Sequence, residues 1–285
     1  MPDRRSTLSF ETSLVRVFEV DCRAPRSAFG HAEWAAVTQI VLPRRGAFVV
    51  EQGGDTMVAH AATAVVLPVD GEYRVSHPVT GGDVCTVLVF IPALLEEALG
   101  RDTRRHGPLR PRTQLGLRLL VSSLATADGL EAEEASLLLL HAVSRDLAES
   151  SVRGQRLGRL PRARVEQVRA LLATRPAAQW RLQTVAHAVD CSPFHLARQF
   201  RTATGESISR YLVRLRLAVA LERIADGEHN LTSLALDLGF AHHSHFSARF
   251  RDVFGMTPSR ARETLARRRL DEMRTIVIAD APHAS

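Results

Sequence analysis

The sequence predicts a multidomain chain of mixed class: a small N-terminal β-barrel or sandwich with a helical hairpin, then an all-α C-terminal domain with two helix-turn-helix units. Three observations lead there. A pattern near the C-terminus occurs twice: Val185-Ala186, Asp190-Cys191-Ser192, Leu196, Phe200 and Gly205 return as Leu234-Ala235, Gly239-Phe240-Ala241, Phe246, Phe250 and Gly255, offset by 49 residues before the turn and 50 after it. Each copy reads as a helix, a tight turn and a second helix closed by glycine, and the second copy has one more turn residue. Residues 15–92 hold short segments rich in Val, Ile and Thr between glycine turns, the pattern of a small all-β domain. Finally, all 37 basic side chains are arginine, and they segregate: residues 155–270 carry 20 Arg against 9 acidic groups, whereas residues 1–154 carry 16 against 19.

Taken in order, strands are expected at 37–43, 47–51, 57–60, 64–69, 72–76 and 85–90, separated by turn signals at Gly53-Gly54, Asp70-Gly71 and Gly81-Gly82. A short helix follows at 93–100, and 101–111 reads as a charged, proline-punctuated connection. Helical spacing then places Leu115, Leu119, Val121 and Leu124 on one helix, and Leu137, Leu140, Val143 and Leu147 on the next, with Asp128-Gly129 breaking the pair into a hairpin. Two readings of those leucines stand: a dimer interface, or a face that packs on the strand domain. The stretch 152–161 has Gly154, Gly158, Pro161 and few apolar residues, and reads as a linker. Helices are expected after it at 164–173, 182–189, 193–203, 208–225, 231–238, 243–254 and 258–268. Ser192 is an N-cap and Pro193 sits in a first turn, where its missing N–H costs nothing.

The charge pattern is the footprint of a polyanion-binding domain beside a near-neutral partner domain. No amphipathic stretch with exposed Trp, Phe or Leu points to a membrane surface, and the apolar run at 137–140 is too short to span a bilayer. Met1-Pro2-Asp3-Arg4-Arg5 has no apolar run behind it, so no signal peptide is expected. Three scattered cysteines make no disulfide framework, and a reducing cytoplasm is the expected location.

Periodicity selects the faces of the two second helices. Leu196, Phe200 and Ala203 share a buried stripe, which turns Phe194, His195, Ala197, Arg198 and Arg201 outward. In the second unit Phe246, Phe250 and Phe254 are the buried set, leaving His243, Ser244, Ser247, Ala248 and Arg251 outward. An arginine guanidinium can span guanine O6 and N7, which makes Arg198 a candidate for base reading, with a phosphate contact as the open alternative. Arg201 and Arg251, at the far ends of their helices, suit phosphate. These outward residues, Ala248 excepted, form the expected DNA-binding set.

The segment from about 162 to 265 resembles the DNA-binding domain of the AraC/XylS family of bacterial transcription regulators. Ala218, Leu221 and Ile224, Ala235-Leu236-Asp237-Leu238-Gly239-Phe240, Ser244-His245-Phe246-Ser247, Phe250-Arg251 and Gly255-Met256-Thr257-Pro258 carry the resemblance, in order and spacing. Upstream, Arg44-Arg45-Gly46-Ala47-Phe48, Ser76-His77-Pro78 and Gly81-Gly82-Asp83 are similar to the cupin-like sensor domain of one branch of that family. The resemblance implies a sequence-specific regulator, an activator controlled by a ligand. Its implied partners are promoter DNA, RNA polymerase, a small-molecule effector and a second copy of the chain. The organisation expected is a cupin-like sensor at 1–100, a hairpin at 101–151, a linker at 152–161, the double helix-turn-helix domain at 162–268 and a tail at 269–285. Two departures from the family pattern stand out. Ala261 replaces an aromatic three residues after Pro258, and Ala248 stands where arginine is frequent, so the second unit is read as gripping phosphates or reading DNA shape.

Effector contact is assigned to His77 and Asp83, flanking a glycine turn, with Cys22 and Cys85 next. A sensor that has lost its ligand and only dimerises is the competing reading. Cupin barrels bind metals through a His-x-His with a later Glu and His, and no His-x-His occurs before residue 101, so neither a metal nor another cofactor is expected. Cys22, His77 and Cys85 can still converge as ligands across a barrel, against the preferred reading of two small buried cysteines and a turn histidine. His242, His243 and His245 fall on the second recognition helix, where DNA contact or capping accounts for them. A P-loop is excluded without lysine, and neither a Gly-x-Ser-x-Gly elbow nor a His-Glu-x-x-His pair occurs, so no enzyme is expected. An architectural DNA-binding factor is disfavoured by the large, near-neutral N-terminal half.

Overall fold

The computed structural model of the chain describes residues 3–100, 106–154 and 159–278. The N-terminal part is antiparallel sheet: β1 (Asp3–Glu11), β2 (Val15–Arg23), β3 (Glu33–Trp34), β4 (Gln39–Gln52), β5 (Asp55–His60), β6 (Thr63–Leu67), β7 (Glu72–Ser76), β8 (Asp83–Phe90) and β9 (His106–Pro108). One path runs β1-β2-β8-β4-β6-β9, while the second half of β4 pairs with β5 and β7, and β3 lies on β7. Strand β4 thus serves two sheets.

Two strands were expected where β4 runs unbroken. The register slips between Pro43 and Arg45, a bulge that bends the strand without ending its pairing. Gly46 follows at φ 74°, and a Cβ there would meet the Gly82 carbonyl oxygen at 2.2 Å. Only glycine lets the bend press against the turn before β8. Strand β1 escaped the sequence reading because its residues are mostly polar and exposed, as an edge strand permits.

Strands β4, β6 and β8 of the first sheet are buried on both faces there, which explains their near-continuous apolar runs. Val41, Val65, Leu67, Cys85 and Val87 turn toward Phe48, Val50, Met57 and Tyr73 of the second sheet. Ile40, Leu42, Ala64, Val66, Leu88 and Phe90 turn the other way, into a cluster built with helices.

Those helices are α1 (Pro92–Leu99), α2 (Pro111–Ser123), α3 (Gly129–Gly154), α4 (Arg159–Thr174), α5 (Leu182–Ala188), α6 (Pro193–Thr204), α7 (Ile208–Ala225), α8 (Leu231–Asp237), α9 (His243–Phe254), α10 (Pro258–Arg267) and α11 (Met273–Ile278). The hairpin α2/α3 is present, and its leucines are spent inside this molecule: Leu115, Leu119, Leu140, Val143 and Leu147 are buried, and Val121, Leu124 and Leu137 are half-buried against the same core. The packing reading therefore holds for these side chains. Of the residues expected as a tail, 269–278 return to the body, where Met273 and Val277 are buried and α11 packs on α2 and α3, and 279–285 lie outside the described residues. Gly116 makes room for them, since a Cβ there would meet Val277 Cγ2 at 2.6 Å. Of the expected linker, 155–158 lie outside the described residues, and its flanks belong to α3 and α4; of the expected connection, 101–105 lie outside them too.

One apolar cluster runs from the sheet through α2 and α3 into α7, α8, α9, α10 and α11, whereas α4, α5, α6 and the first part of α7 close a second cluster. Helix α7 is buried along most of its length between Tyr211 and Ile224, including Arg216 and Glu222, while Ser209 and Arg210 at its start are exposed. The halves also meet at a polar seam. The Val58 N–H donates to Glu166 Oε2 at 3.0 Å, and His60 Nε2 lies 2.6 Å from Tyr211 Oη.

His60 Nδ1 accepts the Ala62 N–H at 3.2 Å, so the neutral ring carries its proton on Nε2 and donates to Tyr211. An imidazolium would set two N–H groups against each other, and burial with Arg169 and Arg214 nearby holds His60 down at about 3. The unfolded chain takes up this proton near the ordinary value of 6.5, so stability declines as pH falls from about 6.5 towards 3. Between pH 7 and 5 the native chain is expected to lose more stability than His60→Gln, measured by urea unfolding. Equal losses in the two proteins would remove His60 as the cause.

Candidate nucleic-acid interface

Each helix pair is fixed by its own local chemistry. Helices α5 and α6 are joined by 189–192, and α8 and α9 by 238–242, so the second turn is longer by the one residue that the repeat offset requires. Asp190 and Gly239 are equivalent in the repeat, and both are left-handed, at φ 49° and 78°. Asp tolerates that region through its short polar side chain, and at Gly239 a Cβ would lie 2.6 Å from the Ala177 carbonyl oxygen. Ser192 caps α6 by accepting the His195 N–H at 3.3 Å, and His242 caps α9 through Nδ1, which accepts the His245 N–H at 3.2 Å. Gly205 and Gly255 end the two helices at φ 78° and 75°.

Leu196 and Phe200, and Phe246, Phe250 and Phe254, face inward and are buried, while Ala203 is half-buried. Each buried phenyl contributes on the order of 3–5 kcal/mol, enough to fix the rotation of its helix. Outward on α6 stand Phe194, 80% exposed, with His195, Arg198 and Arg201, and Ala197 is half-buried. On α9, Ser244 and Arg251 are exposed, while His243 and Ser247 are half-buried and lie 3.3 Å apart, Nε2 to Oγ. Among the described residues Arg198, Arg201 and Arg251 make no ion pair, whereas Arg249 lies 3.8 Å from Asp252. Ala248 is exposed, and Ala261 is fully buried, so a small side chain seats α10 where an aromatic was the family expectation.

The sequence reading missed the groups that hold the two units in place. Arg216 on α7 donates to the carbonyls of Pro176 at 2.8 Å, Ala178 at 2.9 Å and Gly239 at 2.9 Å, tying the loop before α5 to the turn of the second unit. One turn and a half further on, the buried Glu222 pairs with Arg118 of α2, and Arg44 and Arg45 of β4 approach it at 3.6 and 3.9 Å. Arg44 also pairs with Glu19, and Arg45 lies 3.8 Å from Asp226. Burial pulls the Arg118 guanidinium down to about 10 against the opposing pull of Glu222. The available signal was the placement of Arg216 and Glu222 among the apolar residues Leu215, Leu217, Ala218, Leu221 and Ile224, because charges on a buried face must find partners.

The residues assigned to an effector do come together. Cys22 and Asp83 are cross-strand partners on β2 and β8, Cys85 lies on the same face two residues on, and His77 closes over them from the end of β7. All four are buried. Cys22 Sγ lies 3.6 Å from His77 Nε2, which lies 3.0 Å from Asp83 Oδ1, and the Cys85 thiol lies 3.0 Å from Asp83 Oδ2. Burial and the Asp83 charge push the Cys22 thiol up to about 11 and the Cys85 thiol well above its ordinary value, the reverse of an activated nucleophile. A separate cleft of about 430 Å3 opens between the halves, lined among others by Arg110, Asp146, Glu149, Glu166, Arg169 and Tyr211. No helix among the described residues is long and apolar enough to cross a membrane.

Residues 185–264 match the family model of a helix-turn-helix domain. The chain is 35% identical over 101 residues to the HTH-type transcriptional activator RhaS of Enterobacter sp. (strain 638), a match covering 35% of this chain and 36% of RhaS. It is 27% identical over 198 residues to the thermoregulatory protein LcrF of Yersinia pestis, covering 66% of this chain and 71% of LcrF. The chain thus spans about a third of the length of RhaS. Among solved structures it is similar to ToxT from Vibrio cholerae O395, at 10% identity and a TM-score of 0.37 over 92% of this chain and 98% of that one.

Proposed function

We propose, from the AraC-type helix-turn-helix domain that residues 185–264 carry, that the chain is a sequence-specific DNA-binding transcriptional regulator acting as an activator. The observation that carries the reading is the pair of recognition helices α6 and α9, each with an exposed arginine that no acidic side chain neutralises among the described residues. A guanidinium without an acidic partner attracts phosphate or a guanine edge without first giving up an ion pair. Arg198 reads bases, Arg201 and Arg251 grip phosphate, and Phe194, His195, Ala197, His243, Ser244 and Ser247 complete the contact faces. Promoter DNA in the cytoplasm is the main partner, and RNA polymerase is the second. The chain is not an enzyme in this reading.

Control by a small molecule is proposed through the seam between the halves. A ligand in the cleft would touch residues of both, and it could act only by favouring one arrangement over another. The hairpin leucines are already spent on the core, so a dimer would form through another surface.

Binding-site selection on the full chain tests the residue roles. Arg198→Ala is expected to relax preference at one or two base pairs, by about 1–3 kcal/mol, while Arg251→Ala weakens all sequences alike. An unchanged preference in Arg198→Ala would move that side chain to the phosphate class. If the full chain selects no sequence from a random pool, the regulator reading falls.

A further inference from the structure

We propose that Cys22, His77 and Asp83 form a binding site for a divalent, thiophilic metal ion, Zn2+, with Cys85 orienting the carboxylate. One sulfur, one imidazole nitrogen and one carboxylate oxygen lie within 4.8 Å of one another, all from buried residues. Their spacing suits a single small ion. With Zn–S about 2.3 Å and Zn–N about 2.0 Å, the sulfur-to-nitrogen edge of a tetrahedron is about 3.5 Å. The Cys22 Sγ to His77 Nε2 distance is 3.6 Å.

The backbone around the cluster is built to hold it. Gly82 takes φ 73°, and a Cβ on it would fall 1.6 Å from the Cys22 carbonyl oxygen. The turn before Asp83 therefore lies directly on the backbone of Cys22, and Gly46 lets β4 press on Gly82 from the other side. His77 is held by its own backbone: its N–H donates to Ser27 Oγ at 3.3 Å and its carbonyl accepts the Ser27 N–H at 3.0 Å. The donor groups thus come from three fixed strand ends. The Cys85 thiol lies on Asp83 Oδ2, the oxygen that the imidazole does not use, and so fixes the plane of the carboxylate.

The donor set selects the ion. Thiolate and imidazole favour Zn2+ over Mg2+ or Ca2+, which prefer an all-oxygen shell. Charge balances too, because a thiolate and a carboxylate together neutralise a divalent cation, and a water completes the four-coordinate shell. The three donor side chains and the Cys85 thiol turn toward one another within the N-terminal sheet domain, apart from the cleft between the halves. The proposal does not depend on DNA binding.

The test is titration of the full chain, freed of metal with a chelator, with Co2+ followed by Zn2+. A thiolate ligand gives a sulfur-to-cobalt charge-transfer band in the near ultraviolet, which His242, His243 and His245 at the start of α9 cannot produce. One equivalent of Co2+ is expected to raise the band, and Zn2+ to abolish it by displacement. Cys22→Ser should lose the band, and His77→Gln should bind Co2+ more than about 100-fold more weakly, beyond the 10–100-fold typical of a change outside the ligand shell. Cys191→Ser, in the helical domain, should keep both band and affinity. The wild-type and Cys191→Ser titrations decide the matter even if substitutions in the cluster unfold the sheet. No band in the wild-type chain, or a band that Cys191→Ser removes, overturns the proposal.

Discussion

Affinity of the full chain for its DNA site is expected to fall by about 10³–10⁵-fold between roughly 50 mM and 200 mM salt, the loss for a protein neutralising on the order of 6–10 phosphates. Two recognition helices on one duplex make such a count reasonable. The segment 155–270 carries 20 arginines against 9 acidic groups, and several acidic groups are already engaged by arginines that face away from the recognition surface, as Glu222 is by Arg118 and Glu206 is by Arg214 at 3.1 Å. Net positive charge is left on the outer faces, where Arg198, Arg201 and Arg251 stand exposed. Each phosphate neutralised adds about −0.9 to the slope of log affinity against log salt. Fluorescence anisotropy with a selected site at stepped salt measures that slope. A slope near zero would be incompatible with arginine–phosphate binding, and Arg251→Ala should reduce its magnitude by about one unit.

Glu222→Leu is expected to destabilise the chain by about 3–5 kcal/mol, the range for breaking a buried ion pair by removing one partner. The loss comes from what remains. Arg118 is 3% exposed, and without Glu222 its guanidinium keeps its charge with no carboxylate within 4.0 Å among the described residues. Arg44 suffers less, because Glu19 still pairs with it. Combining Glu222→Leu with Arg118→Met should recover most of the loss, since two apolar groups of similar volume can replace a buried pair at little cost. Urea unfolding followed by circular dichroism gives both values. If the single substitution costs under about 1 kcal/mol, water or another carboxylate reaches Arg118, and the pair is not what locks α7 to the sheet and the hairpin.

The recognition units were legible because their signals are local. Ser192 caps, Pro193 and the closing glycines, and the phenylalanines at helical spacing act within a few residues of where they stand, so the repeat offset gave the one-residue difference between the turns and the helical period gave the outward faces. The same holds for strands bounded by glycine turns. Strand β1 and the return of α11 were hidden for the opposite reason: an edge strand needs no apolar pattern, and the partners of Met273 and Val277 lie more than a hundred residues away on α2 and α3. The bend of β4 was read as a break, because a bulge and a turn share the residue signal Arg44-Arg45-Gly46.

The candidate site divides in the same way. Sequence by itself determined which residues face outward on α6 and α9, and that basic charge gathers in the C-terminal domain, since both follow from helical period and composition. It also nominated Cys22, His77, Asp83 and Cys85 as effector contacts, with metal ligation by Cys22, His77 and Cys85 as the less favoured reading. Only the tertiary structure decided that their donor atoms face one another, because that depends on the register Cys22 to Asp83 between β2 and β8 and on Gly82 lying against the Cys22 backbone. Only the tertiary structure, likewise, joined Arg44, Arg118 and Glu222 into one buried cluster. A buried charge does not reveal its partner in sequence, because desolvation demands that some opposite charge be near and the fold alone determines which one is.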